Sequence, residues 1–182
     1  EGQDVTFSLG YSDTGEVLHK YLLDLSYSNF IFDKTPCAGA QSLSEFVKKC
    51  NSNHILIMPG DFVLDKFDLE KFWDFHLSHA FGISVLTVPK KDYGGYLSYD
   101  GSQVSPTSIY FARKDFLLRQ EITHGFWSGV VKPLTEREQL GIFHSPDTYW
   151  HDCGTLTRYR RVNVDKFSQR VIRILSHPTP PE

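Results

Sequence analysis

Ile55-Leu56-Ile57-Met58-Pro59-Gly60-Asp61 reads as a short buried strand of four apolar residues, stopped by proline and glycine, with a carboxylate just beyond. Its surroundings make it one member of an alternating series. On the amino side, Ala38 to Cys50 puts Leu43, Phe46, Val47 and Cys50 on one helical face. On the carboxyl side, Asp68 to His79 predicts a helix built on Leu69, Phe72, Trp73, Phe75, His76 and Leu77. Further upstream, Val5-Thr6-Phe7-Ser8-Leu9 and Phe30-Ile31-Phe32 predict strands. Between them Thr14 caps a helix to Leu25 with Val17, Leu18, Tyr21, Leu22 and Leu25 as its stripe. Downstream, Ile83 to Val88 predicts a fourth strand, ended by Pro89. The order βαβαβαβ implies an α/β fold, with a mostly parallel sheet covered by helices on both faces.

The pattern then changes. Tyr96 to Gly101 predicts a strand running into a turn, and Ser108 to Ala112 another strand. Thr135 to Gln139 predicts a short helix before a strand at Leu140 to Phe143. Tyr149-Trp150 leads into His151-Asp152-Cys153-Gly154-Thr155. A last helix is expected from Thr155 to about Leu175, with Tyr159, Val162, Phe167, Val171 and Ile174 as its apolar positions. Residues 176–182 are proline-rich and read as a tail or linker, leaving one domain over 1–175.

The 182 residues suffice for a full core without disulfide or metal staples. Hydrophobic residues make up 40% and charged residues 23%, an ordinary globular balance. The net charge of −3 and the lack of a basic run argue against a nucleic-acid partner. No apolar run approaches the ~18 residues that a membrane span needs. Glu1-Gly2-Gln3-Asp4 does not resemble a signal peptide. Three widely spaced cysteines suggest neither a disulfide framework nor a zinc site, and a reducing cytoplasm is the simplest reading.

Asp61 and Asp152 are the chemical candidates. Ligands of open α/β sheets bind outside the carboxyl ends of strands. A carboxylate there, on a glycine turn at Gly60 that lets a ligand approach, can hold a metal ion; Gly-Asp is equally at home in a plain turn. Asp152 follows an aromatic strand end and precedes Gly154-Thr155 at a helix entry, where it can also serve the turn. Two aspartates on separate loops of one sheet edge can share Mg²⁺, which takes one or two carboxylates plus phosphates and waters.

The order of motifs resembles the sugar-1-phosphate nucleotidylyltransferases, which have a Rossmann-like three-layer αβα fold with a mostly parallel mixed sheet. Three segments carry the resemblance. Thr35-Pro36-Cys37-Ala38-Gly39-Ala40-Gln41-Ser42-Leu43 looks like the family's nucleotide-base loop, leading into a helix. Met58 to Asp65 looks like its metal-binding strand end, and Tyr149 to Tyr159 like its closing motif. Asp92-Tyr93-Gly94-Gly95 and Asp100-Gly101 fit the sugar side less closely. The resemblance implies a sugar-1-phosphate oxygen attacking the α-phosphorus of a nucleoside triphosphate, with pyrophosphate leaving. It implies Asp61 and Asp152 as the catalytic metal pair for Mg²⁺. Gly39, Gln41 and Gly60 would be on the nucleotide side, with the Gln41 carboxamide reading the base edge. Gly94 would bring a backbone amide to a sugar hydroxyl. Dimers or tetramers are common in the family.

Departures accompany the resemblance. The family begins with a strand, a glycine-rich loop carrying a basic residue, and a helix, and that loop cradles the triphosphate. Nothing like it occurs here, and Val5 to Leu9 aligns with the family's second strand. A Glu-Lys-Pro sugar segment is absent after Tyr99, and Pro106-Thr107-Ser108 stands where Asn-Ala-Gly is expected. The expectation is that the missing unit belongs to the protein outside the given sequence, since a parallel sheet without its central strand would expose a buried seam. The alternatives are a catalytically inactive nucleotide- or nucleotide-sugar-binding subunit and an enzyme whose basic residues come from elsewhere.

Other groups carry less. His76 and His79 lie three apart and His54 precedes the key strand, but no third zinc ligand is evident. Lys90-Lys91 reads as a solvated pair, and Arg158, Arg160 and Arg161 read as exposed or ion-paired. Cys153 reads as a small packing residue rather than a nucleophile. Ser8 and Ser44 lack a partnered His and Asp, and a glycosyltransferase would want an Asp-x-Asp pair at a strand end.

Overall fold

The computed structural model describes residues 7–10, 30–33, 39–91, 95–122 and 125–164. The predicted helix over 14–25, the start of the base loop (35–38), Gly94 and the segment after 164 lie outside them. Strand β1 (Phe7–Gly10) pairs in parallel with β2 (Phe30–Asp33), Phe7 opposite Phe30. Helix α1 (Gly39–Lys49) follows, then β3 (His54–Ile57), β4 (Phe62–Asp65), α2 (Leu69–Leu77) and β5 (Ile83–Pro89). Next come β6 (Leu97–Tyr99), β7 (Ser102–Arg113), the short α3 (Lys114–Leu117), a π-helical turn Trp127–Val131 running into α4 (Lys132–Glu136), β8 (Gly141–His144) and β9 (Tyr149–Asp152). Residues 156–164 are helical and form α5.

The fold is α/β with a mixed sheet. Strand order in the largest sheet is β3-β7-β5-β8, with β6 added beside β7, while β4 and β9 form an antiparallel ribbon. Strand β5 is buried at six consecutive positions, Ile83 to Val88. It lies between β7 and β8, and a strand covered on both faces is mostly apolar rather than alternating; its two polar positions, Ser84 and Thr87, are hydrogen-bonded to His79 and to the Phe143 carbonyl. The β6–β7 hairpin turns on Asp100 and Gly101, both at positive φ (47° and 73°), as a two-residue turn of matching twist requires.

Two compact units divide the described chain. In the first, Phe46 and Val47 of α1 and Cys50 just beyond it are buried, as are Ile83, Ala112, Leu117 and Val131. Gly82 lies against the Phe116 ring so closely that a Cβ would collide with it. In the second, Phe72 is fully buried and its ring lies 5.3 Å from that of Phe143, which also meets Phe75 at 5.5 Å. Thr107 is buried and donates to the Leu86 carbonyl at 2.9 Å.

Several expectations need correction. The stretch 55–58 is not uniformly buried: Ile55 is, but the strand ends at Ile57 and Met58 is 44% exposed. Asp61 does not simply close that strand; it stands immediately before β4, whose mixed apolar and polar ends gave no clear alternation. Leu69 and Leu77 are exposed while Phe72 and His76 are buried, so α2 buries a narrower stripe than its apolar content suggested. Tyr159 is exposed and Val162 buried on α5. Gly39 and Gln41 fall in the first turn of α1, as the expected helix from Ala38 has them. Strand β7 runs twelve residues through Pro106 and absorbs what reads as a connector, with a kink at Ser108, whose φ is 63°. Among the described residues, no helix is long and apolar enough to cross a membrane.

Candidate functional site

The β4–β9 ribbon brings the two aspartates together. Phe62 stands opposite Asp152, Val63 opposite His151 and Leu64 opposite Trp150. Trp150 and His151, adjacent and so on opposite faces of β9, are both buried, which anchors the strand. One residue beyond the ladder, the Cys153 N–H donates to the Asp61 carbonyl at 2.7 Å. Asp61 and Asp152, 91 positions apart in sequence, are thereby held at one end of one ribbon.

Gly154 lies beside both carboxylates. A Cβ at Gly154 would lie 2.8 Å from Asp61 Oδ2 and 3.1 Å from Asp152 Oδ1. The missing side chain leaves that space to two carboxylate oxygens. Gly60 is different: it has no positive φ, and a Cβ there would meet nothing within 4 Å. Neither backbone nor packing demands glycine at 60.

Asp152 is held from two sides. The Gly154 N–H donates to Oδ1 at 2.7 Å, and Arg158 Nη1 donates to Oδ2 at 2.6 Å in an ion pair. Arg158 is carried there by the start of α5. The Thr155 hydroxyl accepts the Arg158 backbone N–H at 3.3 Å, and the Thr155 carbonyl accepts from Tyr159 at 2.9 Å, the arrangement of an N-cap. Ion pairing is thus what the structure shows for Arg158. The sequence left exposure or ion pairing open for Arg158, and the partner is Asp152 because the guanidinium reaches back across the Gly154 turn.

Cys153 is partly exposed, and its Sγ lies 3.7 Å from the His151 carbonyl. Removal from water raises the thiol above its usual range, and the charges of Asp152 and Asp61 push it the same way. A thiol kept protonated is a poor nucleophile, consistent with a packing role.

Two hard oxygen donors, each about 3 Å from the Cβ position of Gly154, suit a magnesium-like cation, which fills its remaining positions with waters and phosphate oxygens. Among the described residues, no group of three or more His, Cys, Asp or Glu side chains is placed to hold a metal ion. A closed zinc-type cage is therefore not what these residues form. His76 is buried with its ring 6.1 Å from that of Trp73, and His79 is bonded to Ser84 and Phe81. Lys90 is exposed, donates to Gln103 at 2.5 Å and lies over the Tyr96 ring. The side chain of Gln41, and Gly94, lie outside the described residues.

No protein-family model matches the sequence, and no curated protein matches it. Solved structures do resemble it. A protein assigned as a glucose-1-phosphate thymidylyltransferase from Bacillus anthracis, crystallised with sucrose, superposes with a TM-score of 0.66 at 17% identity, over 87% of this chain and 74% of that one. HddC from Yersinia pseudotuberculosis superposes with a TM-score of 0.66 at 17% identity, over 89% of this chain and 77% of its own. Its complex with GMP-PN gives 0.66 at 15%, over 88% and 77%. The shared property is the α/β fold.

Proposed function

We propose that the protein is a Mg²⁺-dependent nucleotidylyltransferase that condenses a nucleoside triphosphate with a sugar-1-phosphate to give a nucleotide sugar and pyrophosphate. The observation that carries this reading is the convergence of Asp61 and Asp152 on Gly154, in a fold shared with a protein assigned as a thymidylyltransferase and with one crystallised with GMP-PN.

A sugar-phosphate oxygen forms a bond to the α-phosphorus, and the bond to the bridging oxygen breaks, its electron pair leaving with pyrophosphate. The protein's part in such a transfer is alignment and charge compensation rather than covalent chemistry. Asp61 and Asp152 would hold Mg²⁺, which when bound offsets charge on the phosphate oxygens. The β4–β9 register fixes the spacing of the two carboxylates, and the Gly154 N–H orients the Asp152 carboxylate. Gln41, near the start of α1, would read the base edge with its donor and acceptor. Gly39 and Gly60 would let the nucleotide approach the backbone, and Gly94 a sugar hydroxyl.

The test is pyrophosphate release from nucleoside triphosphates across a panel of sugar-1-phosphates. Turnover that needs Mg²⁺ and disappears in Asp61→Asn supports the reading, and retained activity in that variant contradicts the metal role. Nucleotide binding with no pyrophosphate from any pair favours the second reading, a binding or assembly subunit. The Arg158–Asp152 pair is the feature that speaks for that second reading, because it already occupies one of the two carboxylates.

A further inference from the structure

We infer that Arg158 is a built-in counter-ion of the aspartate pair: its guanidinium holds Asp152 until a divalent cation takes its place, so arginine and cation compete for one carboxylate. The inference rests on the reading of Asp61 and Asp152 as a cation site.

Two carboxylates drawn to one point repel each other unless something positive is near. Asp61 Oδ2 and Asp152 Oδ1 both lie about 3 Å from the Cβ position of Gly154. Arg158 Nη1 lies 2.6 Å from the other oxygen of Asp152 and supplies that charge. A cation bound between Asp61 Oδ2 and Asp152 Oδ1 would share the Asp152 carboxylate with the guanidinium, and two positive groups on one carboxylate repel. The exchange needs no backbone change. The Gly154 N–H bond to Oδ1 can stay, since a carboxylate oxygen has a second acceptor position. The Thr155 cap keeps α5 in place while the long Arg158 side chain rotates away. The two side chains are 36% and 33% exposed, so water screens their attraction and exchange is cheap. Arg158 is in this sense a positioning residue: it sets the readiness of Asp152 to accept a cation.

Manganese is the probe. The protein is titrated with Mn²⁺ without nucleotide, and free Mn²⁺ is followed by electron paramagnetic resonance. Arg158→Gln is expected to bind Mn²⁺ about fivefold more tightly than wild type, a factor at the upper end for an exposed pair. Arg158→Lys keeps the charge and is expected to stay within about twofold of wild type on the same reasoning. Unchanged or weaker binding in Arg158→Gln, with binding lost in Asp61→Asn, overturns the competition and leaves the cation site standing. Binding that survives Asp61→Asn, or is absent from wild type and variants alike, overturns the cation site and the competition with it. The wild type supplies a second readout that needs no variant. Saturating Mg²⁺ is expected to shift the Arg158 Nε–Hε resonance, and a resonance that does not move overturns the exchange.

Discussion

Gly154 is the residue on which the site turns. Its φ is not in the left-handed region, so alanine is acceptable to the backbone, yet an added Cβ would press on Asp61 Oδ2 and Asp152 Oδ1. Those oxygens end flexible, partly exposed side chains and can swing aside. Gly154→Ala is therefore expected to change stability by less than about 0.5 kcal/mol while weakening Mn²⁺ binding at least about tenfold. Thermal unfolding and the manganese titration on the same samples check this; unchanged binding would mean that the carboxylates do not act through that space. Both aspartates stand out as candidates in the sequence, because Gly-Asp after an apolar stretch and Asp-Cys-Gly-Thr before a helix are visible locally. The place of Gly154 beside both carboxylates is not visible locally, since it depends on Asp61, 91 positions from Asp152, arriving there; the Arg158–Asp152 pair spans only six residues but needs the chain to double back at Gly154.

Among the elements, the kink in β7 is open to a direct test. Ser108 sits at φ 63°, where a side chain with a Cβ is disfavoured and glycine is not. Ser108→Gly is expected to stabilise the protein by about 0.5 kcal/mol, the relief of left-handed strain less the extra entropy of glycine in the unfolded chain. Urea unfolding measures it, and destabilisation would show that the Ser108 side chain matters more than its backbone. Helix α2 begins at an Asp68 cap that accepts the Lys71 N–H at 3.0 Å and pairs with the Lys71 ammonium at 2.8 Å. The Lys71 hydrogen bond holds the Asp68 carboxyl below its usual range. A depressed carboxyl favours the folded state above its unfolded pKa of about 4, and the benefit disappears as pH falls through the lower folded value. Asp68→Ala is expected to speed amide exchange over the first turn of α2 at neutral pH and to make little difference in strong acid.

At the scale of the molecule, stability should fall as the solution turns mildly acidic. His79 is partly buried; the Phe81 N–H lies 3.2 Å from its Nδ1, and its Nε2 lies 3.0 Å from the Ser84 hydroxyl and against Gly141. Burial lowers its pKa below the ordinary value. The unfolded chain then binds a proton near pH 6.5 that the folded one refuses. Stability is accordingly full above that pH and declines as pH drops toward the folded pKa. The thermal midpoint is expected to fall between about pH 7.5 and 5.5, and His79→Gln to fall less steeply; parallel slopes would remove His79 from the explanation. The α/β class and most element positions followed from the chain alone, because periodicity and Gly/Pro punctuation are local properties. Strand β5 is the clearest case, six apolar or small residues in a row that only an interior strand can use. The sequence also carried the two carboxylates and the helix cap beside one of them. Only the tertiary structure decided that β4 exists as a partner for β9, that Leu69 and Leu77 face outward, and that Asp61 and Asp152 both come beside Gly154. Each of these depends on what residues distant in sequence bring into contact, and pairing register and burial arise only when the chain is folded.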